Sequence, residues 1–285
     1  MPTELKEIPM KYSLYVAVAA VLTTSLVTWR PIEAATAPVA RARSYEPPIV
    51  FQAAGPTAAS IQAAVDAFRS ELGEVNNGNA SGPLASGRRE INWDGGGSTA
   101  TAIATTPFAG FLNTRGALFA TPGSGFVQAP SSGLAETFSN PDYATIFAPF
   151  SPVRLFSPIG SNVTHVEFFL PGSAGGLLAT TRGFGAVLSD VDLPDGSGPG
   201  GKQGNRKAST LVEYFALDGG LLYSSFVPAS PGDAGFAFLG IAFDDPRIAR
   251  VRISTGDSVP GADDERPHDV VVMDDFIFGE PQLVQ

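Results

Sequence analysis

Apolar positions recur at two different spacings along this chain of 285 residues. Ile61, Ala64, Val65, Phe68 and Leu72 fall on one face of an α-helix, with Thr57 or Ser60 placed to cap its start and Gly73 to end it. From about Ile91 onward the period drops to two. Short β-rich runs bounded by turn residues predict strands near 89–93, 116–120, 125–128, 145–150, 153–157, 162–170, 178–191, 209–217, 220–228, 235–243, 247–254 and 269–278. Leu217-Asp218-Gly219-Gly220 reads as a hairpin turn, because Asp-Gly supplies the positive φ angles of a tight turn. Regularly spaced strands without intervening helices predict an all-β fold, an antiparallel β-sandwich with one N-terminal helix, rather than a parallel α/β sheet.

A third pattern precedes these. Residues Tyr12 to Val27 form an uncharged apolar run, with Lys6 and Lys11 before it and Ala34, Ala35, Thr36 and Ala37 after it. That order is the order of a secretory signal. The run is shorter than the roughly 20 residues that span a bilayer core comfortably, so cleavage is expected; an uncleaved anchor is the alternative. The resulting organisation is a signal segment at 1–37, a helix-containing extension and linker at 38–88, a sandwich domain at 89–280 and a tail at 281–285. No second apolar run follows, so no membrane span is expected once the signal is removed.

Composition narrows the picture further. The 32 glycines and 24 prolines make up about a fifth of the chain, against an average nearer 12%, which demands many turns. A net charge of −10 argues against nucleic-acid partners, whose phosphates require Lys and Arg. The absence of cysteine excludes disulfides, thiolate metal sites and cysteine nucleophiles.

Taken in order, Glu90-Ile91-Asn92-Trp93-Asp94-Gly95, Asn113-Thr114-Arg115-Gly116-Ala117-Leu118-Phe119, Phe184-Gly185-Ala186-Val187-Leu188-Ser189-Asp190-Val191-Asp192, Glu213-Tyr214-Phe215-Ala216-Leu217-Asp218-Gly219, Phe238-Leu239-Gly240-Ile241 and Val272-Met273-Asp274-Asp275-Phe276-Ile277-Phe278-Gly279 resemble a group of exported bacterial proteins. These carry galactose-binding-like jelly rolls, often with a PEP-CTERM sorting tail. The resemblance covers roughly 89–280 and implies a jelly-roll sandwich. The Val-Pro-Glu-Pro signature, apolar helix and basic tail of that group are missing after residue 280, so free secretion is expected.

The final strand carries the sharpest chemical argument. Strict alternation places Val270, Val272, Asp274, Phe276 and Phe278 on one face and Val271, Met273, Asp275 and Ile277 on the other. With both faces apolar, at least one of the adjacent carboxylates must lie at buried surface and needs a cation, backbone donors or a metal ion. Calcium is the metal candidate, because hard cations take carboxylate and carbonyl oxygens. In jelly rolls of the resembled kind an ion often joins the last strand to the first, which implies a set of Asp94, Asp274 and Asp275. The alternative is a hydrogen-bond network or a salt bridge to Arg250 or Arg252.

Other motifs are weaker. Asp190, Asp192 and Asp195 do not have EF-hand spacing and read as a solvated, turn-forming strand end. Gly196 to Lys202 fits only the first seven positions of a P-loop, with Gln203 where Ser or Thr belongs, and reads as a linker whose Lys202, Arg206 and Lys207 are solvated. No Gly-x-Ser-x-Gly elbow occurs, and His165 and His268 are the only histidines. His165 is expected on a polar outer face with Glu167; His268 is expected in a charge contact within an acidic loop. Glu167, Glu213, Asp190 and Asp192 are available as glycosidase acids, but spacing does not choose among them. Tyr214 and Tyr223 are candidates for stacking on sugar rings. No catalytic residue and no ligand-binding residue is assigned. The expectation is a secreted, non-catalytic protein that binds an extracellular glycan or other surface ligand, with a structural calcium ion; a polysaccharide-acting hydrolase or lyase and a structural surface component are the alternatives.

Overall fold

The computed structural model describes residues 46–193, 209–264 and 268–284. Strand β1 (Ile49–Gly55) leads into helix α1 (Ala58–Leu72). Strands β2 (Arg88–Ile91) and β3 (Ala102–Thr105), the single turn α2 (Leu112–Arg115), and strands β4 (Ala117–Ala120) and β5 (Gly125–Ala129) follow. Helices α3 (Ser131–Phe138) and α4 (Tyr143–Ile146) precede β6 (Leu155–Ile159), β7 (Val163–Phe168), β8 (Ala179–Thr180) and β9 (Gly183–Ser189). Strands β10 (Leu211–Phe215), β11 (Leu221–Phe226), β12 (Phe236–Ala242), β13 (Arg250–Ser254), β14 (Val272–Gly279) and β15 (Gln282–Leu283) complete the order.

Two antiparallel sheets pack face to face, so the β-sandwich inferred from the pattern is present. The large sheet runs β1-β12-β9-β14-β6-β5-β3, with β2 also paired to β14; the small sheet runs β11-β10-β13-β7-β4. Between them lies a core that includes Trp93, Phe119, Phe156, Phe184, Val251 and Phe276. Alternation accounts for the small sheet directly: Val166 and Phe168 of β7 and Val212 and Tyr214 of β10 are buried, while His165, Glu167 and Glu213 point outward. The hairpin at 217–220 closes as expected, with Gly219 at φ 83° and Ala216 N–H donating to the Gly220 carbonyl across 2.9 Å.

Helix α1 forms a third layer on the far side of the large sheet. Ile61, Val65, Phe68 and Leu72 are its buried stripe, packing on Val187, Phe238 and Ile277. Phe68 sits over a pair of cross-strand glycines, Gly185 of β9 and Gly240 of β12. A Cβ atom on Gly185 would stand 2.8 Å from the Phe68 ring, and one on Gly240 would stand 3.0 Å from it. The glycines therefore create the seat that lets the helix lie close to the strands.

Four expectations need correction. The N-terminal helix is not alone: α2, α3 and α4 lie between β3 and β6, where strands and turns were expected, and α3 and α4 bury Leu134, Tyr143 and Ile146 against the large sheet. Residues 145–150 are not a strand: Tyr143, Ile146 and Phe147 are buried at helical spacing in and after α4, and Pro149 has no N–H to give to a ladder. The 178–191 run divides into β8 and β9 at Thr181-Arg182. Within 38–88, Ile49–Gly55 is not linker but an edge strand of the large sheet, paired along its length with β12. The expected signal segment at 1–37 lies outside the described residues. Among those described, no helix is long and apolar enough to cross a membrane.

Candidate functional site

The two adjacent aspartates of β14 lie where that strand changes neighbours. Met273 pairs with Phe156 of β6, whereas Phe276 to Gly279 pair with Ile91 to Arg88 of β2. On the other side, Met273 faces Leu188 and Phe276 faces Ala186, so Asp274 and Asp275 together oppose the single residue Val187. This is a β-bulge. The extra residue shifts the phase of the strand: Val271, Met273, Phe276 and Phe278 all face the core between the sheets, while Val270, Val272 and Ile277 face the other side. Strict alternation had grouped Phe276 and Phe278 with Val270 and Val272, and the bulge overturns that grouping.

The bulge is braced from β2. Trp93 adopts a positive φ of 63°, lies flat on Phe156 with ring centroids 3.7 Å apart, and donates its indole N–H to the Asp274 carbonyl across 2.7 Å. That turn delivers Asp94 to the same place. Asp94 Oδ1 accepts the backbone N–H groups of Val153 (2.6 Å) and Arg154 (2.9 Å), and its Oδ2 accepts from Asn92 Nδ2 (2.8 Å). Asp274 Oδ2 accepts the Phe150 N–H at 2.5 Å. The Ser151 hydroxyl donates to Asp275 Oδ1 at 2.6 Å and also lies 3.3 Å from Asp274 Oδ1 and 3.4 Å from Asp94 Oδ2.

The structure thus brings Asp94, Asp274 and Asp275 together, but around a serine hydroxyl and backbone donors. Burial first, and then the neighbouring Asp275 charge, push the Asp274 carboxyl well above the usual carboxylate range. Asp275 is also raised by burial, against the pull of Ser151, Asp274 and Arg69. A calcium ion here would compete with the N–H and O–H groups that both Asp94 oxygens, Asp274 Oδ2 and Asp275 Oδ1 already accept. Among the described residues, no group of three or more His, Cys, Asp or Glu side chains is arranged to hold a metal ion. The salt-bridge alternative takes a different partner from the one expected. Arg250 and Arg252 belong to the small sheet, and it is Arg69 of α1 that approaches Asp275 (3.7 Å) while pairing with Glu90 (2.8 Å).

A second acidic group gathers where β9 ends. Asp190 is not a solvated turn residue: it is 0% exposed, with φ at 70°. Among the described residues, neither carboxylate oxygen has an N–H or hydroxyl donor. Its side chain meets that of Asp264, with Asp192 and Asp233 nearby. Burial, reinforced by Asp264, pushes Asp190 up to about 10, and burial alone is the leading cause that takes Asp264 to about 6 and Asp269 to about 7. Unlike Asp190, Asp264 accepts the Val270 N–H (2.6 Å), Asp192 accepts the Gly232 N–H (2.7 Å), and Asp269 accepts from Asp192 N–H (3.1 Å) and the Ser209 hydroxyl. Spacing along the chain could not reveal this group, since 74 residues separate Asp190 from Asp264. Asp195 and the 196–202 segment, with Lys202, Arg206 and Lys207, lie outside the described residues.

The third feature is the outer face of the small sheet. Paired residues share a face, so register aligns Ser224, Glu213, Arg252 and His165 in one row and Leu221, Phe215, Arg250 and Glu167 in the next. Arg252 bonds Glu213 at 3.1 Å, and the Arg250 guanidinium stands 4.5 Å from the Phe215 ring centroid. His165 is held below its ordinary value by burial and by the two arginines. Leu221 (56% exposed) and Phe226 (50% exposed) flank the rows. Beside the Arg250 row lies a cleft of about 230 Å³ whose lining includes Glu167, Leu178, Leu217 and Arg250. The tyrosines proposed for sugar stacking are elsewhere: Tyr214 is fully buried and Tyr223 packs against the core. His268 contacts the Ser258 hydroxyl through Nδ1 at 2.9 Å. Of the four glycosidase candidates, Glu167 and Glu213 share this face, whereas Asp190 and Asp192 belong to the acidic group.

The chain matches no protein-family model, and neither a curated protein nor a solved structure matches it.

Proposed function

We propose that this chain is an exported, non-catalytic sandwich of the galactose-binding-like jelly-roll kind, which binds an extracellular glycan through the outer face of its five-stranded sheet. The observation that carries the reading is the pair of rows described above, in which an aromatic ring, two guanidinium groups, two carboxylates and an imidazole stand on one rigid surface. A sugar ring offers an apolar C–H face and a rim of hydroxyls. Such a surface meets both demands, with apolar contact from Phe215, Phe226 and Leu221 and directional hydrogen bonds from Arg252, Glu213 and Glu167. Secretion agrees with the signal-like pattern of the first 37 residues.

The hydrolase alternative draws on Glu167 and Glu213. They lie two strands and two residues apart, which puts their Cα atoms roughly 12 Å from one another on ordinary strand spacings, and Glu213 is already paired with Arg252. Glycan-array binding, followed by titration of any bound glycan, tests the proposal. Phe226→Ala and Arg252→Ala are each expected to weaken binding about tenfold or more. A wild-type chain that binds no glycan would overturn the reading. Release of reducing sugar that is lost in Glu213→Gln would replace it with the enzymatic one.

A further inference from the structure

The buried Asp190 carboxylate lacks what Asp192, Asp264 and Asp269 have. Each of these three accepts at least one backbone N–H, but among the described residues neither buried oxygen of Asp190 has an N–H or O–H donor. Among the described residues, the side chains that act on it most are acids: Asp264 in contact, then Asp192 and Asp233. Among the described residues no Lys, Arg or His forms an ion pair with any of these. A proton or a cation must therefore stand between Asp190 and Asp264.

We infer that Asp190 and Asp264 form the binding site of a divalent cation of the calcium class. All the side chains gathered here offer oxygen, the ligand atom that hard cations select, and no sulfur is available in a chain without cysteine. Asp190 is fixed in place: its left-handed backbone is held by an N–H bond to the Gly235 carbonyl (2.9 Å), and Ser230 N–H bonds the next carbonyl, that of Val191 (2.9 Å). A route from solvent is present too, since Asp192 and Asp264 are half-buried and Asp233 is exposed. The contrast with Asp94, Asp274 and Asp275 is chemical. There an incoming cation must compete with N–H and O–H donors; at Asp190 it exchanges only for the proton that burial otherwise holds against Asp264. With two carboxylates in contact, carbonyls and water would have to complete the shell, which places the site in the weak extracellular class, with Kd of about 10⁻⁴ to 10⁻³ M.

Calcium titration by calorimetry on the full chain after chelator treatment, together with thermal melts with and without millimolar calcium, tests the site. The wild type is expected to bind saturably in the stated range and to melt higher with calcium. Asp190→Asn keeps the shape of the protonated carboxyl and tolerates the left-handed backbone, so it is expected to fold and to lose both responses. Asp275→Asn is expected to keep both. A wild type indifferent to calcium, or Asp190→Asn that responds like it, sinks the inference; so does loss of the response in Asp275→Asn alone. If Asp190→Asn does not fold, Asp264→Asn is read by the same titration, and an unchanged response there is equally fatal.

Discussion

The indole N–H of Trp93 reaches across the large sheet to the backbone carbonyl of Asp274, 181 residues away in sequence, at 2.7 Å. That bond satisfies a carbonyl which the bulge has removed from the ladder, and the stacked Phe156 ring holds the indole in position. Trp93→Phe removes the donor and leaves a void beside Phe276. The loss is expected to be about 2–4 kcal/mol, as an orphaned buried carbonyl plus a small cavity. Urea unfolding should show a lower midpoint with an unchanged slope.

Arg89 and Glu280 form a fully enclosed bidentate pair, with Nε–Oε2 at 2.6 Å and Nη2–Oε1 at 2.7 Å. Arg89 also donates to the carbonyls of Gly78 and Thr114, while Asn77 Nδ2 and Leu84 N–H bond Glu280. The pair thereby ties the 76–87 loop to the end of β14. Removing either partner strands a buried charge, so Arg89→Met and Glu280→Leu are each expected to cost about 3–5 kcal/mol. The double variant should cost clearly less than the sum of the two, which a double-mutant cycle in urea measures directly.

The glycine seat under Phe68 predicts a size-dependent rescue. Gly240→Ala forces a methyl group against the ring and should destabilise by about 1–3 kcal/mol. Combined with Phe68→Leu, the same change should be tolerated better than in the wild-type background. Equal penalties in both backgrounds, measured by thermal melting, would show that the helix does not rest on that glycine.

The buried acids set a pH dependence in calcium-free solution. Asp269 is pushed up to about 7 by burial and Asp190 up to about 10. Between the ordinary carboxylate value near 4 and these raised values, the folded chain holds protons that the unfolded chain releases. Their contribution to stability is therefore complete below about pH 4 and lost as pH rises, through about 7 for Asp269. Each group contributes a slope of up to about 1.4 kcal/mol per pH unit. Asp269→Asn is expected to flatten the urea-melt stability profile between about pH 4 and 7.

The readable parts of the sequence were those in which one spacing dominates. Ile61, Val65, Phe68 and Leu72 announce α1, and the alternation around Val166, Val212 and Val251 announces the small sheet, because each has one buried and one open face. Strand β1 was hidden: as an edge strand with exposed Ile49 and Val50 it carries only a weak pattern. The bulge at Asp274-Asp275 was hidden for another reason, since a single inserted residue reverses the faces of everything after it while leaving composition untouched. Of the candidate site, the meeting of Asp94 with Asp274 and Asp275 was legible through the resemblance, but Ser151 and the Phe150, Val153 and Arg154 amides were not. Backbone donors leave no trace in the identity of the residues that supply them.

The strand at the centre of the large sheet, β14, follows every other strand of the two sheets, and its two halves are flanked by β6 and β2, both made long before. Neither half of that sheet can seal its interior until residues 272–279 slot between strands already waiting for them. Assembly is consequently dominated by long-range closure, the regime of slow folding in which partly built intermediates expose apolar surface. A ribosome would have to make every other strand of both sheets before the core between them could shut.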